Sequence, residues 1–192
     1  MATFLKSATL PPWVRTYIIP QEKMQFCLEE AAKRNQKKAK PKIRIQGKIS
    51  TRTEDSLPTH IRGYICEYGA AAYFGVELKS NILAHGDKHE PDFWVGPYGF
   101  EVKSARRFPP VLKFDEDEFG KRSHWALLCR YYEPFRMVEI HGGIARKRFF
   151  ALNKWRDFGY GLMRVADNFD LSDAFNIREY VWKKTGMKGA EG

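Results

Sequence analysis

The sequence has few cysteines and no long apolar stretch. Its 192 residues include only Cys27, Cys66 and Cys129, a scattered set of odd number that suits neither a disulfide framework nor a zinc knuckle. No apolar run approaches the roughly 18 residues that a membrane-spanning helix needs, and the first residues lack the apolar region of a signal peptide. We therefore expect a soluble, cytoplasmic protein that has no membrane partner.

The composition predicts a folded chain. Hydrophobic residues make up 43% and aromatic residues 15% of the sequence, which is enough apolar surface to offset the entropy of the chain and excludes a disordered class. The length fits one domain of ordinary size. We distinguish a basic N-terminal extension of a helix and a strand (residues 1–58) from a core (residues 59–192), and we expect the two to form one compact domain.

Positive charge is concentrated in the N-terminal third. The chain carries a net charge of +10, and residues 1–60 contain 12 basic and 5 acidic side chains. Residues 33–52 contain nine basic side chains and no acidic one. Such a segment either contacts nucleic acid or is the solvated end of a helix whose dipole favours cations there, and we favour the first interpretation. Its candidate nucleic-acid-binding residues are Lys37, Lys38, Lys40, Lys42, Arg44 and Lys48.

The hydrophobic periodicity predicts helices alternating with strands. The predicted helices are 21–38, 60–74, 153–165 and 172–184, with Thr59 as the N-cap of the second helix and Gly75 as its end. The predicted strands are 42–49, 93–95, 100–103, 125–132 and 135–140, with Gly142 and Gly143 ending the last strand. This order indicates an α/β fold with a mixed central sheet flanked by helices.

Residues 91–103 predict a β-hairpin that gathers charged side chains. If residues 96–99 form a four-residue loop, Val95 pairs with Phe100 and Asp92 pairs with Lys103. Because side chains alternate between the faces of a strand, one face would be an apolar core face and the other would be largely charged. The apolar set is Phe93, Val95, Phe100 and Val102. The other set is Asp92, Trp94, Glu101 and Lys103.

Two carboxylates beside an ammonium group indicate phosphodiester chemistry. Mg²⁺ typically takes one or two protein carboxylates and keeps its other positions for water and phosphate. A lysine beside that ion can orient or deprotonate the attacking water and offset the charge that grows on the phosphate. The alternative is an ordinary ion pair across two strands on a solvated face, which contributes well under about 1 kcal/mol.

The spacing Pro91-Asp92, eight residues, Glu101-Val102-Lys103 resembles the signature of the PD-(D/E)XK nuclease superfamily. The resemblance covers residues 59–149 and implies a restriction-endonuclease-like αβββαβ core. It implies that Asp92, Glu101 and the Val102 carbonyl bind Mg²⁺, for which Mn²⁺ substitutes, and that Lys103 serves the attacking water. It also points to Glu67, on the helix before the first strand of that core, as a catalytic carboxylate and possible metal ligand. Gly63, one turn earlier, would let this helix approach the sheet closely.

These observations predict a Mg²⁺-dependent DNA endonuclease, in which a homodimer would supply two sites for two strands. The Gln-x-x-x-Tyr motif of RecB-like exonucleases does not occur between Lys103 and His124, which disfavours an exonuclease. Further candidate DNA contacts follow the hairpin: Arg106, Arg107, Lys121 and Arg122. Two alternatives stay open. One is a non-catalytic nucleic-acid-binding protein on a nuclease-like fold, and the other is a sequence-specific restriction-type endonuclease.

Overall fold

The computed structural model describes residues 10–38, 57–78, 90–114, 119–159 and 161–187, with the backbone alone at residues 35–38 and 57. The helices in these ranges are α1 (Gln21–Lys38), α2 (Leu57–Tyr73), α3 (Arg146–Leu152) and α4 (Ala174–Thr185). The strands are β1 (Arg15–Ile18), β2 (Phe93–Val95), β3 (Tyr98–Ser104), β4 (Leu112–Phe114), β5 (Trp125–Tyr132), β6 (Met137–Ala145), β7 (Trp155–Asp157) and β8 (Leu162–Ala166). The strand predicted at 42–49 lies outside the described residues.

The main sheet is mixed and has five strands, which confirms the predicted mixed α/β class. Its strand order is β1-β6-β5-β3-β2, with β3 and β5 parallel and the other neighbours antiparallel. A second sheet of three antiparallel strands has the order β4-β8-β7. None of the described helices has the length and apolar character that crossing a bilayer requires.

Apolar side chains cover both faces of the main sheet. On one face, α1, α2 and α4 contribute to a core that includes Tyr64, Phe74 and Ile177. On the other face, β4, α3 and β8 surround a smaller core built on Phe114 and Phe149. The sheet is therefore buried between two layers.

Helix α2 packs on the sheet through a glycine other than the one predicted. Tyr64, Ile65 and Tyr68 are buried, as their helical spacing predicts. A Cβ atom on Gly69 would lie 2.6 Å from Val138 Cγ2, whereas a Cβ atom on Gly63 would meet nothing within 4 Å. Gly69 is thus the residue that permits the close approach, and the role predicted for Gly63 is wrong.

The first strand and helix are integral to this architecture. β1 pairs with β6, with Arg15 opposite Ile140, and α1 packs against α2. Arg15 Nε and Nη2 also donate to the two carboxylate oxygens of Asp173, at 3.1 and 2.6 Å, and Asp173 caps the N-terminus of α4. The N-terminal segment is in this way joined to the last helix as well as to the sheet.

Several predicted boundaries are corrected by the structure. Helix α2 begins at Leu57, so Thr59 is inside it rather than its N-cap, while Gly75 follows its end with a φ of +76°. Where a helix was predicted over 153–165, residues 155–157 and 162–166 pair as the β7–β8 hairpin, and Gly159 and Gly161 between the two strands adopt positive φ values. Gly142 and Gly143 lie within β6, since the strand continues to Ala145.

Candidate active site

The β2–β3 hairpin has a tighter turn than predicted. Phe93 pairs with Phe100 and Val95 with Tyr98, so the turn consists of Gly96 and Pro97 and the four-residue loop is wrong. Gly96 has a φ of +57°, which a glycine adopts without strain. The pairing differs from the predicted one by two residues, and this preserves the alternation of side chains between the faces.

The division of the hairpin into an apolar and a polar set is confirmed by burial. The four apolar residues are all less than 9% exposed: Phe93, Val95, Phe100 and Val102. Glu101 and Lys103 alternate with them on β3 and are partly exposed. The polar pair therefore lies on the face opposite the α2 core.

Asp92 lies at the edge of the sheet, directly before β2. Its backbone N–H donates to the Phe100 carbonyl at 2.8 Å, and its Oδ2 accepts a hydrogen bond from the Val102 N–H at 2.7 Å. Asp92 is therefore placed beside Val102 and not opposite Lys103 as predicted. Because the N–H and C=O of one strand residue point to the same side, the Val102 carbonyl is directed to this edge as well.

Glu101 contacts one cation and one hydroxyl. Lys103 Nζ lies 3.6 Å from Glu101 Oε1, and Ser123 Oγ donates to Glu101 Oε2 at 3.4 Å. Lys103 Nζ also lies 4.7 Å from the centre of the Phe114 ring. The ammonium group is thus held between a carboxylate and an aromatic face at the margin of the smaller core.

Glu67 approaches the same edge from α2. Its Oε2 accepts a hydrogen bond of 2.5 Å from Arg34, whose guanidinium lies 4.3 Å from the centre of the Tyr64 ring. Arg34 comes from the basic segment of the sequence, where nothing distinguishes it from its eight basic neighbours. Sequence reasoning therefore missed this contact, which depends on how α1 packs on α2.

The electrostatics show that the carboxylates act on one another. Burial, together with the Asp92 and Glu67 carboxylates, raises the pKa of Glu101 to about 8, against the opposing effect of Lys103. Burial and Asp92 also raise the pKa of Glu67 to about 7, against Arg34 and Lys103. Buried carboxylates with like-charged neighbours favour either a proton or a cation between them.

The oxygen donors at this edge of the sheet suit a hard cation that takes few ligands from the protein. Within the described ranges no three His, Cys, Asp or Glu side chains are grouped closely enough to hold a metal ion by themselves. Mg²⁺ needs fewer protein ligands, because it keeps several waters. The donor set consists of the Asp92 and Glu101 carboxylates and the Val102 carbonyl, with Glu67 held nearby by Arg34.

The predicted DNA contacts fall into three groups. Arg106 and Arg107 are exposed after β3, and Arg106 donates to Thr59 Oγ1 at 3.1 Å. Lys121 is exposed before β5, whereas Arg122 forms an ion pair with Glu90. The last group belongs to the basic segment. Lys37 and Lys38 are at the end of α1, and Lys40, Lys42, Arg44 and Lys48 lie outside the described residues.

Comparison with protein-family models, curated proteins and solved structures finds no match to this chain. The function is therefore inferred from the residues of the site and their geometry.

Proposed function

We propose that this chain is a Mg²⁺-dependent DNA endonuclease of the PD-(D/E)XK type. The observation that carries the proposal is the arrangement around Val102. Asp92 binds the Val102 N–H at 2.7 Å, and Lys103 lies 3.6 Å from Glu101. Two carboxylates, a carbonyl and an ammonium group are thereby held at one edge of the sheet.

The topology supports the first half of an αβββαβ core. α2 supplies Glu67, and the β2–β3 hairpin supplies Asp92, Glu101 and Lys103. β5 then runs parallel to β3, as a strand reached by a crossover does. The described part of the β3–β5 connection contains strand β4 and no helix, which is a departure from that core.

The chemistry follows from the donors. Asp92, Glu101 and the Val102 carbonyl would hold Mg²⁺, which when bound supplies Lewis-acid polarisation of a phosphoryl oxygen and a more acidic water. Lys103 orients the attacking water through Nζ, and its charge offsets the negative charge that grows on the phosphate. Ser123 donates to Glu101 and restricts the orientation of that carboxylate.

A second candidate is a nucleic-acid-binding protein that does not cleave. Arg34 already pairs with Glu67, and Lys103 already pairs with Glu101, so both glutamates have a cationic partner without any metal ion. A binding protein that retains the acidic residues for stability alone would have the same contacts. Only an activity measurement separates the two candidates.

Digestion of supercoiled plasmid tests the proposal. With Mg²⁺ the parent protein is expected to give nicked product, and linear product if a homodimer cuts both strands, whereas a chelator abolishes cleavage and Mn²⁺ restores it. Asp92→Asn retains a hydrogen-bond acceptor for Val102 but loses the charge, and Glu101→Gln does the same at its position. Each is expected to lower the rate about a thousandfold, because several kcal/mol of charge stabilisation is lost and about 1.4 kcal/mol is tenfold.

The matched control is Glu179→Gln, which removes one exposed carboxylate from α4. It should cleave at the parent rate. Cleavage at the parent rate by folded Asp92→Asn or Glu101→Gln would exclude this site, and binding of DNA without any metal-dependent cleavage by the parent would favour the second candidate.

A further inference from the structure

A basic cleft lies next to the candidate active site. It has a volume of about 580 Å³ and is formed by the loop before β5 together with the start of α3. Six of the side chains that line it are Lys121, Ser123, His124, Arg146, Lys147 and Phe150. None of the described residues that line the cleft is acidic.

Within the described ranges, no carboxylate forms an ion pair with a cation of this cleft. Lys121 and Lys147 are exposed. Arg146 Nε donates to the Phe119 carbonyl at 3.4 Å, and the Arg146 guanidinium lies 4.7 Å from the centre of the Phe150 ring. Three permanent positive charges therefore line one open depression, and together they attract an anion.

Arg122 shows the contrast within the same loop. It is adjacent to Lys121 but forms an ion pair with Glu90 and lies 5.8 Å from the centre of the Trp94 ring. The Glu90 carboxylate therefore compensates the charge of Arg122. Of these two neighbouring cations, the structure leaves Lys121 to act on a ligand in the cleft.

Ser123 connects the cleft to the carboxylates. It is only 2% exposed, it lines the cleft, and its Oγ donates to Glu101 Oε2 at 3.4 Å. The basic cleft and Glu101 are therefore separated by a single side chain. A phosphate bound through a metal ion beside Glu101 would therefore lie next to the cleft.

We propose that this cleft is a subsite for backbone phosphates of the DNA strand that is cleaved at the candidate active site. This proposal rests on the proposed function. Lys121 and Lys147 bind the phosphates as exposed point charges, and Arg146 binds from the inner wall, where Phe150 fixes its guanidinium. The contacts are to phosphates and not to base edges, so the subsite holds any sequence alike.

The test compares two double variants that each remove two positive charges. Lys121→Gln with Lys147→Gln alters the cleft. Lys183→Gln with Lys184→Gln alters exposed lysines at the end of α4, on the opposite face of the main sheet. Binding of a fluorescent DNA duplex is measured in chelator at several salt concentrations.

The cleft variant is expected to flatten the dependence of log K on log salt by up to about 1.8, since each phosphate contact contributes about 0.9 on duplex DNA. The α4 variant is expected to keep the parent slope. A cleft variant with the parent slope, or two variants flattened equally, would overturn the proposal.

Cleavage separates this proposal from the proposed function. With Mg²⁺, the cleft variant should have a raised KM and unchanged turnover at saturating DNA, because no lining cation is a metal ligand. Asp92→Asn should bind with the parent slope and not cut. If neither the parent nor any variant cleaves DNA, and only the cleft variant flattens the slope of log K against log salt, the nuclease assignment fails while the cleft remains a DNA-binding site. If Asp92→Asn alone loses cleavage and the cleft variant binds like the parent, the cleft assignment fails by itself.

Discussion

The raised pKa values of the two glutamates predict that the candidate active site costs stability at alkaline pH. The pKa of Glu101 is about 8 in the folded protein, against an ordinary value of 4.5. Between these values the folded state holds a proton that the unfolded chain has released, so the free energy of unfolding falls as the pH rises. The stabilisation is complete below about pH 4.5 and is lost by about pH 8.

The size of the effect follows from the shift. One pKa unit corresponds to about 1.4 kcal/mol, so the shift of Glu101 sets a ceiling of about 5 kcal/mol. Glu67 changes in the same direction, with a pKa of about 7. Because the two groups interact, we expect a total decrease of a few kcal/mol and not the sum of two ceilings.

Urea unfolding of the parent, Glu101→Gln and Glu133→Gln between pH 5 and pH 9, in chelator and at constant ionic strength, measures this cost. Glu101→Gln cannot ionise, so it should depend less on pH than the parent and be the more stable protein at pH 9. Glu133→Gln alters an exposed carboxylate outside the site and should follow the parent. Mg²⁺ should restore stability to the parent at pH 9 but not to Glu101→Gln. The same pH dependence in the parent and Glu101→Gln would refute this reasoning.

Three further predictions concern single residues. Lys103→Ala should leave DNA binding within a few-fold of the parent while the single-turnover rate collapses, and an equal loss in both would make Lys103 a binding residue. Gly69→Ala should lower the free energy of unfolding by about 1–3 kcal/mol, because its Cβ would lie 2.6 Å from Val138 Cγ2, whereas Gly63→Ala meets nothing and should not destabilise. Asp173→Ala should cost about 1 kcal/mol at neutral pH through loss of the α4 cap. Burial raises the pKa of Asp173, but the hydrogen bonds from Arg15 and the Phe175 N–H lower it overall, so this difference should shrink in acid, as urea unfolding at pH 7 and pH 3 would show.

Side chains alternate between the two faces of the hairpin, so the sequence predicted which residues share each face. Phe93, Val95, Phe100 and Val102 are buried as the alternation requires, because any register that differs by an even number of residues keeps the same faces. The turn was not predictable in the same way. The sequence Gly-Pro-Tyr-Gly allows both a two-residue and a four-residue connection, and the alternation fits either.

The elements that sequence analysis missed are short or depend on distant contacts. β1 and β4 have four and three residues, too few to show a period. The β7–β8 hairpin did carry a signal, since Gly159 and Gly161 interrupt the pattern that was interpreted as a helix. Gly143 lies within β6, where a Cβ atom would be 2.7 Å from Leu127 Cδ2, so close packing requires glycine at a position that the local sequence marks as a strand end.

In the candidate site, too, the residues that are close in sequence were predictable and the contacts between distant residues were not. Asp92, Glu101 and Lys103 were found from their spacing, because a hairpin brings residues close in sequence together. The contacts Arg34–Glu67 and Ser123–Glu101 join residues 33 and 22 positions apart. Such pairs depend on how α1 meets α2 and how the loop before β5 meets β3.

Whether Asp92 and Glu101 hold a divalent cation is tested most directly by titrating Mn²⁺ into the protein and following free Mn²⁺ by electron paramagnetic resonance. The parent and Glu179→Gln should show a saturable site from which Mg²⁺ displaces Mn²⁺, and Asp92→Asn and Glu101→Gln should lose it. A parent protein without a saturable site, or an Asp92→Asn variant that binds Mn²⁺ as tightly as the parent, would contradict the assignment of this edge of the sheet as the active site.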